Sequence, residues 1–273
     1  DHCCSYCIVP LARGKSRSRP LAQVIAEAQR LAVAGHKELV LTGVRLGDFK
    51  PSLRILLKSL EAIPGVERIR LSSLEPDDLD QDTIESVAES RKTARHLHLP
   101  LQSGDDRILR LMNRPYGIEY FSNLLGTVRR AIPDMTFGTD VITGFPGESE
   151  EQFNHSYQAV KELPITHLHV FTYSKRPGTK AALMGGQIPG TIKKERSARL
   201  REMFERKQHE YWRSQIGKAT VVLFESVENG RWTGLGEHYF RVSVESVMDI
   251  RNQLCRVKLT GITDHGMMGE PAS

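Results

Sequence analysis

Three of the chain's four cysteines lie within seven residues, as Cys3, Cys4 and Cys7. Thiolates spaced this closely exchange disulfides, bind zinc or hold iron–sulfur clusters. Cys4-Ser-Tyr-Cys7 is a C-x-x-C pair. A thioredoxin-like redox pair needs its first cysteine at a helix N-terminus after a strand. Here Ile8-Val9-Pro10 follows, and no helix is expected to start. A structural zinc ion needs four ligands. Adjacent cysteines rarely share one tetrahedral ion, and no second C-x-x-C exists. An iron–sulfur cluster uses thiolates and can leave one iron open to a cofactor.

The elements that must position this loop follow a regular plan. Leu21, Val24, Ile25, Ala28, Leu31 and Ala32 recur at helical spacing, which predicts a helix over 19–34. A buried strand is expected over 38–42. Helix-like spacing over 53–63 precedes a strand over 68–72, and a helix over 80–90 precedes a strand over 96–100. Helices over 105–112 and 118–131 precede a strand over 135–142, and a helix over 149–163 precedes a strand over 167–173. Strand and helix thus alternate five times, which predicts parallel strands joined by helical crossovers. In such α/β folds the chemistry lies at the carboxyl ends of the strands. Those ends carry Thr42-Gly43, Ser72-Ser73-Leu74-Glu75, Gln102-Ser103-Gly104, Thr143-Gly144-Phe145-Pro146-Gly147-Glu148 and Tyr173-Ser174. Five polar or Gly-rich ends in one class of position predict a shared pocket.

Residues 191–216 read as a long polar connecting helix. Beyond them the pattern changes to short alternating strands with Gly turns: Thr220-Val-Val-Leu-Phe224, Trp232-Thr-Gly, Phe240-Arg-Val-Ser-Val244 and Leu254-Cys-Arg-Val-Lys-Leu259. A small β-barrel is expected, with Val221, Leu223, Val242 and Val257 in its core.

Composition sets outer bounds. Among 273 residues, 39% are hydrophobic and 26% charged, which argues against wholesale disorder. The apolar runs are too short for a membrane span, and no secretory leader is read at Asp1-His2. Lys and Arg number 38 against 33 Asp and Glu, an excess that permits a polyanionic partner. Clustered cysteines without a leader point to a reducing compartment, and a cytoplasmic location is expected. No G-x-G-x-x-G follows a strand, which disfavours a plain nicotinamide-dinucleotide protein.

Residues 1–19, from Asp-His-Cys-Cys-Ser-Tyr-Cys to Lys-Ser-Arg-Ser-Arg, resemble the cluster loop of the radical S-adenosylmethionine methylthiotransferases. That family's motif is C-x-x-x-C-x-x-C. Cys4 and Cys7 match its second and third cysteines, and Tyr6 its aromatic. The first would fall just before Asp1, and the barrel strand that precedes the loop is also expected to be missing. His98-Leu-Pro-Leu-Gln-Ser-Gly-Asp-Asp-Arg107, Met112-Asn-Arg-Pro-Tyr116, Asp140-Val-Ile-Thr-Gly-Phe-Pro-Gly-Glu148 and Tyr173-Ser-Lys-Arg-Pro-Gly-Thr-Lys-Ala-Ala182 are similar to further family signatures. Ala12 to Arg19 and Leu41 to Asp48 look most like the branch acting on threonylcarbamoyladenosine in tRNA.

The resemblance implies a partial (β/α)6 radical-SAM barrel lacking its first strand over 1–190, a connecting helix over 191–216 and a small all-β, TRAM-like RNA-binding barrel over 217–270. It implies methylthiolation of carbon 2 of the modified adenosine beside the tRNA anticodon. The implied cofactors are a four-iron four-sulfur (4Fe-4S) cluster on Cys4 and Cys7, S-adenosylmethionine, and a second 4Fe-4S cluster in an N-terminal domain outside this chain. The chain alone is therefore expected not to turn over. Candidate contacts to S-adenosylmethionine are Tyr6, Thr42, Gly43, Ser73, Glu75, Gln102, Ser103, Arg114 and Asp140. Arg114 is a candidate partner for the cofactor carboxylate. Candidate RNA contacts are Arg13, Lys15, Arg17 and Arg19 in the loop, and Arg231, Trp232, Arg241, Arg256 and Lys258 in the small barrel. His96 and His98 read as satisfied structural histidines. The implied partners are the tRNA anticodon loop and an electron-donor protein, with no membrane. The alternatives are an isopentenyladenosine or ribosomal-protein branch, and a non-catalytic RNA-binding remnant.

Overall fold

The computed structural model describes residues 3–272. The first half alternates as its apolar spacing requires. It runs α1 (Val9–Arg13), α2 (Leu21–Val33), β1 (Glu38–Leu41), α3 (Leu53–Glu61), β2 (Arg68–Leu71), α4 (Gln81–Glu89), β3 (His96–His98), α5 (Asp106–Leu111), α6 (Ile118–Ala131), β4 (Thr136–Thr143), α7 (Glu150–Glu162) and β5 (Ile165–Thr172). All the strand pairs here are parallel: β1 with β2, β3 with β4, and β4 with β5. An isolated parallel bridge from Ile69 to Thr93 links β2 to the approach of β3. The strands form an open arc whose free edges are β1 and β5. Apolar faces of the helices and strands share one core that includes Leu56, Leu60, Ile69, Leu97, Phe121, Phe137 and Val141.

One local expectation fails. A five-residue helix, α1, does start at Val9, straight after the cysteines, with Pro10 in its first turn. Proline is tolerated there because that N–H has no intrahelical partner.

After α8 (Lys180–Leu183) the 24-residue α9 (Gly190–Arg213) runs back along β5. Lys207 of α9 donates to the carbonyls of Val160 (2.6 Å) and Lys161 (2.9 Å), where α7 ends. Next come β6 (Ala219–Glu228), β7 (Arg231–Gly236), β8 (Arg241–Val244), β9 (Leu254–Thr263) and β10 (Gly266–Pro271). They close into a barrel in the order β10-β8-β7-β6-β9. Its core holds Val222, Phe224, Trp232, Val242, Val257 and Met267. The expectation for β6 is one residue out of phase: Val222 and Phe224 are buried, and Val221 and Leu223 only partly so. A run of consecutive apolar residues carries no alternation, so pairing with β7 and β9 decides which face is inside.

The small barrel is fastened to the amino ends of the arc. Arg68 donates to the carbonyls of Val221 (3.1 Å) and Leu235 (2.9 Å), and Arg70 to that of Gly236 (3.1 Å). Both guanidiniums are buried and share Glu38. The turn between β7 and β8 inserts Tyr239, whose ring stacks on His96 with centroids 4.5 Å apart. It also meets His167 edge-on at 4.9 Å. The cysteine loop lies at the opposite, carboxyl end of the strands.

Candidate active site

The cysteine loop is short, yet residues more than a hundred positions later hold it in place. Ser5 N donates to Met112 O (3.0 Å), and Ser5 Oγ to Leu111 O (2.7 Å). Asn113 Nδ2 donates to Cys3 O (2.9 Å), and Ala181 N to Ser5 O (2.8 Å). These contacts depend on how α5 begins and ends. Asp105 caps its start by accepting from Arg107 N and Ile108 N, each at 3.0 Å. Asn113, with φ 59°, turns the chain away just past its end. Tyr6 packs edge-on to Phe145, in an apolar cluster with Ile108, Met112, Tyr173 and Ala181. Burial, and then the neighbouring Cys4, push the Tyr6 hydroxyl pKa well above its usual value.

Arg114 brackets the loop from the other side. Its Nη1 donates to Cys4 Sγ at 3.2 Å, its Nε to Tyr116 Oη at 2.9 Å, and its Nη2 to Glu75. Tyr116 Oη in turn donates to Pro100 O at 2.5 Å. Burial alone would pull Arg114 down, but Tyr116 and Glu75 outweigh it and hold its pKa above the usual value. The forked donors are thus already engaged. The expected pairing of Arg114 with a cofactor carboxylate is not open in this arrangement.

A cavity of about 920 Å³ opens beside the loop. Cys4, Cys7, Tyr6, Thr42, Gly43, Glu75, Gln102 and Arg114 line it. Gly43 leaves free space: a Cβ there would meet nothing closer than Leu46 at 3.7 Å. Arg13, Lys15, Arg17 and Arg19 stand exposed on the cavity rim and make no ion pair among the described residues.

Other expected residues lie elsewhere. Ser103 is fully buried, bonding Ser156 Oγ (3.1 Å) and Asp105 N (3.2 Å), and does not face the cavity. Ser73 is not among the lining residues either. Trp232 is in the small barrel's core, 8% exposed, so it offers no stacking face to a base. Arg231 pairs with Glu245 (2.7 Å) and Lys258 with Glu270 (3.8 Å), while Arg241 and Arg256 are exposed. The Gly-Phe-Pro-Gly-Glu turn is structural. Glu148 accepts from Gly144 N (2.7 Å) and Arg196 (2.7 Å), tying β4 to α9. Gly144 has φ 71°, and a Cβ there would sit 2.1 Å from Lys193 Cγ.

Asp140 is also away from the cavity lining, in the middle of β4. Its Oδ1 accepts from His98 Nε2 (2.9 Å) and His169 Nδ1 (3.0 Å). Burial alone would raise its pKa, but the two imidazoles hold it down to about 2. Burial, with His169 beside it, lowers His167 to about 4, and Asp140 raises His169. His98 is satisfied as expected. His96 is not: its Nε2 is buried with no hydrogen-bond partner. Sequence reasoning passed over His167 and His169. The signal was available, since two H-x-H pairs on different strands each place both rings on one face.

The sequence model of the Radical SAM superfamily matches residues 1–160. The chain belongs to the radical SAM superfamily. It is 37% identical to a threonylcarbamoyladenosine tRNA methylthiotransferase of Bacillus subtilis, over 94% of this chain and 59% of the relative. It is 36% identical to a protein of the same description from Chlamydia pneumoniae, over 98% and 64%. It is also 36% identical to a tRNA-2-methylthio-N(6)-dimethylallyladenosine synthase of Acetivibrio thermocellus, over 97% and 57%. The chain thus spans about three fifths of the relatives it matches. The fold resembles coproporphyrinogen III oxidase of Escherichia coli, described as a radical SAM enzyme, with TM-score 0.56 and 15% identity over 99% of this chain and 69% of that one. It also resembles SuiB of Streptococcus suis, solved bound to S-adenosylmethionine, with TM-score 0.53 and 15% identity over 76% and 45%. Among the described residues of this radical SAM protein, no helix is long and apolar enough to cross a membrane.

Cys4 and Cys7 fit the cluster of this superfamily. Both thiols border a cavity large enough for a nucleoside cofactor. The Arg114 guanidinium set against Cys4 Sγ would offset the negative charge of a thiolate bound to such a cluster.

Proposed function

We propose that this chain is the radical SAM and RNA-binding part of a methylthiotransferase acting on carbon 2 of threonylcarbamoyladenosine beside the tRNA anticodon. One observation carries the reading: the C-x-x-C thiols, held by α5, α8 and Arg114, open onto a large cavity that runs from the carboxyl ends of the strands along β1. The names of the Bacillus and Chlamydia relatives support the substrate.

In this reading Cys4 and Cys7 hold two irons of a four-iron four-sulfur cluster. When bound, that cluster supplies one-electron cleavage of S-adenosylmethionine, chemistry no side chain performs. The chain's own residues bind and orient. Tyr6 gives the adenine an apolar face. Thr42 and Gly43 let the backbone approach the cofactor's methionine end, because no side chain blocks Gly43. Gln102 offers an amide to the ribose. Glu75 and Arg114 keep the loop in register with the ends of β2 and β3. The exposed cations of the loop and of β8 and β9 meet RNA phosphates. The division at 190 and 217, the second cluster, the electron donor and a cytoplasmic location belong to the same proposal. Two separate apolar cores support the division.

A second reading, a dimethylallyladenosine substrate, is favoured by the Acetivibrio relative at 36% identity. Nucleoside mass spectrometry of tRNA from a strain deleted for the gene separates the two. Loss of the methylthio group from threonylcarbamoyladenosine alone is expected. Loss from the dimethylallyl nucleoside alone moves the substrate to the second reading. An unchanged tRNA profile overturns both.

A further inference from the structure

The interior of the arc carries a cluster that the proposed reaction does not use. His96 and His98 lie on β3, Asp140 on β4, and His167 and His169 on β5. The register aligns them: Gly138 pairs with His98 on one side and His167 on the other, and Asp140 pairs with His169. Gly138 is what makes room for the rings. A Cβ there would lie 2.6 Å from His98 Nδ1 and 3.0 Å from His96 Nε2.

The hydrogen bonds fix where the ring protons are. An ionised carboxylate only accepts, so His98 Nε2 and His169 Nδ1 each donate to Asp140 Oδ1. Thr136 Oγ1 donates to Arg95 O (2.7 Å), so His96 Nδ1 must donate to Thr136 Oγ1 (3.0 Å). The lone pair of His96 Nε2 is left buried with no donor. Such an orphan is costly unless something outside the present contacts satisfies it.

We propose that His98 Nε2, Asp140 Oδ1 and His169 Nδ1 form a site for a divalent first-row transition metal of the Zn2+ or Fe2+ class, with His96 and His167 as its outer shell. The three ligand atoms all lie within 4.8 Å of one another. Ligands about 2.0–2.2 Å from a tetrahedral ion stand about 3.3–3.6 Å apart, so small side-chain movements suffice. Two imidazoles and one carboxylate on one face leave positions open, and His169, 47% exposed, stands on the accessible side.

The metal exchanges two N–H···O bonds for two N–metal bonds. Each ligating ring then carries its proton on its other nitrogen. For His98 that is Nδ1, which faces the hollow over Gly138 shared with the orphaned His96 Nε2. For His169 it is Nε2, already 3.0 Å from His167 Nε2. His169 thus has an imidazole acceptor behind it already, and His98 gains one when its ring shifts toward His96 Nε2 across the space over Gly138, the support that metal-binding histidines require. With that shift, metal occupancy satisfies the orphan.

Cobalt(II) alone is the probe, added to the full chain with Cys3, Cys4 and Cys7 changed to serine so that the loop cannot compete. The expected result is about one cobalt per chain, with visible d–d bands and no thiolate-to-cobalt charge transfer. His169→Gln and Asp140→Asn should each weaken binding at least tenfold. His96→Phe should weaken it about 10- to 100-fold without changing the band pattern. Far-UV circular dichroism checks the fold of each variant. His169 is half-exposed, so its variant decides the case should Asp140→Asn misfold. No cobalt uptake by the serine variant overturns the proposal. So does a charge-transfer band there, or uptake unchanged in folded His169→Gln.

Discussion

The ring of Tyr239 lies flat on that of His96, with 11° between their planes, and Arg70 stands 5.3 Å over the other partner's ring centre, that of Tyr239. One side chain from the small barrel therefore plugs the amino end of the arc. Tyr239→Ala removes the stack, the cation–π contact and the edge contact to His167. A loss of about 1–3 kcal/mol is expected, read as a lower urea midpoint. An unchanged midpoint would show that the buried arginines alone hold the two parts together.

Arg114 joins Cys4, Glu75 and Tyr116, and its side chain is 2% exposed. Arg114→Met leaves Glu75 without its partner and should destabilise the protein by about 3 kcal/mol. Arg114→Lys keeps the charge but cannot reach all three groups from one ammonium. Both variants should retain less iron and sulfide after anaerobic reconstitution. Full iron retention by Arg114→Lys would remove the bracket from the account of the site.

Asp105 sets a pH dependence. Burial alone would raise its pKa, but His155 and the α5 backbone N–H groups lower it below the usual 3.8. The folded state therefore holds fewer protons than the unfolded state at acidic pH. The stabilisation is complete above the unfolded value and is lost as pH falls through the lower, folded one. The parent should be more stable to urea than Asp105→Asn at pH 6, and the two midpoints should converge as pH drops below about 4, where the carboxylate is protonated. A gap that widens in acid would contradict the assignment.

Replacing Arg13, Lys15, Arg17 and Arg19 with alanine should flatten the salt dependence of tRNA binding. Each phosphate contact contributes about 0.7–0.9 to the slope of log K against log salt, so the slope should fall by about 3. Changing Arg241 and Arg256 should lower it by about 1.5. If the loop variant keeps the parent slope, the loop is only a solvated rim.

Much of this was legible in the sequence, and the exceptions have physical causes. The strand–helix alternation and the closed barrel follow from apolar spacing and Gly turns. The Gly-rich end of β4 reads as one wall of a shared pocket, yet Gly144 serves the turn itself, because its positive φ and the crowding by Lys193 leave few other residues possible. Trp232 was misplaced because chemistry, an aromatic beside Arg231, outweighed position. Its neighbours Thr233 and Gly234 are buried too, so β7 shows no alternation to read. Ser103 sits in a polar motif, but the partner that buries it, Ser156, is on a distant helix. Tyr239 and His96 lie far apart in sequence with no periodic relation, so nothing local announces their stack.

The cysteine loop has a consequence for how the protein is made. Its shape depends on Leu111, Met112, Asn113, Arg114 and Ala181, all far downstream. Contacts of such long sequence separation form late, because the closing entropy comes before the reward. While a ribosome is still adding those residues, the loop thiols have no fixed arrangement. The loop thiols are therefore set in place only once Ala181 has been made, and in the proposed reading any iron waits for that step.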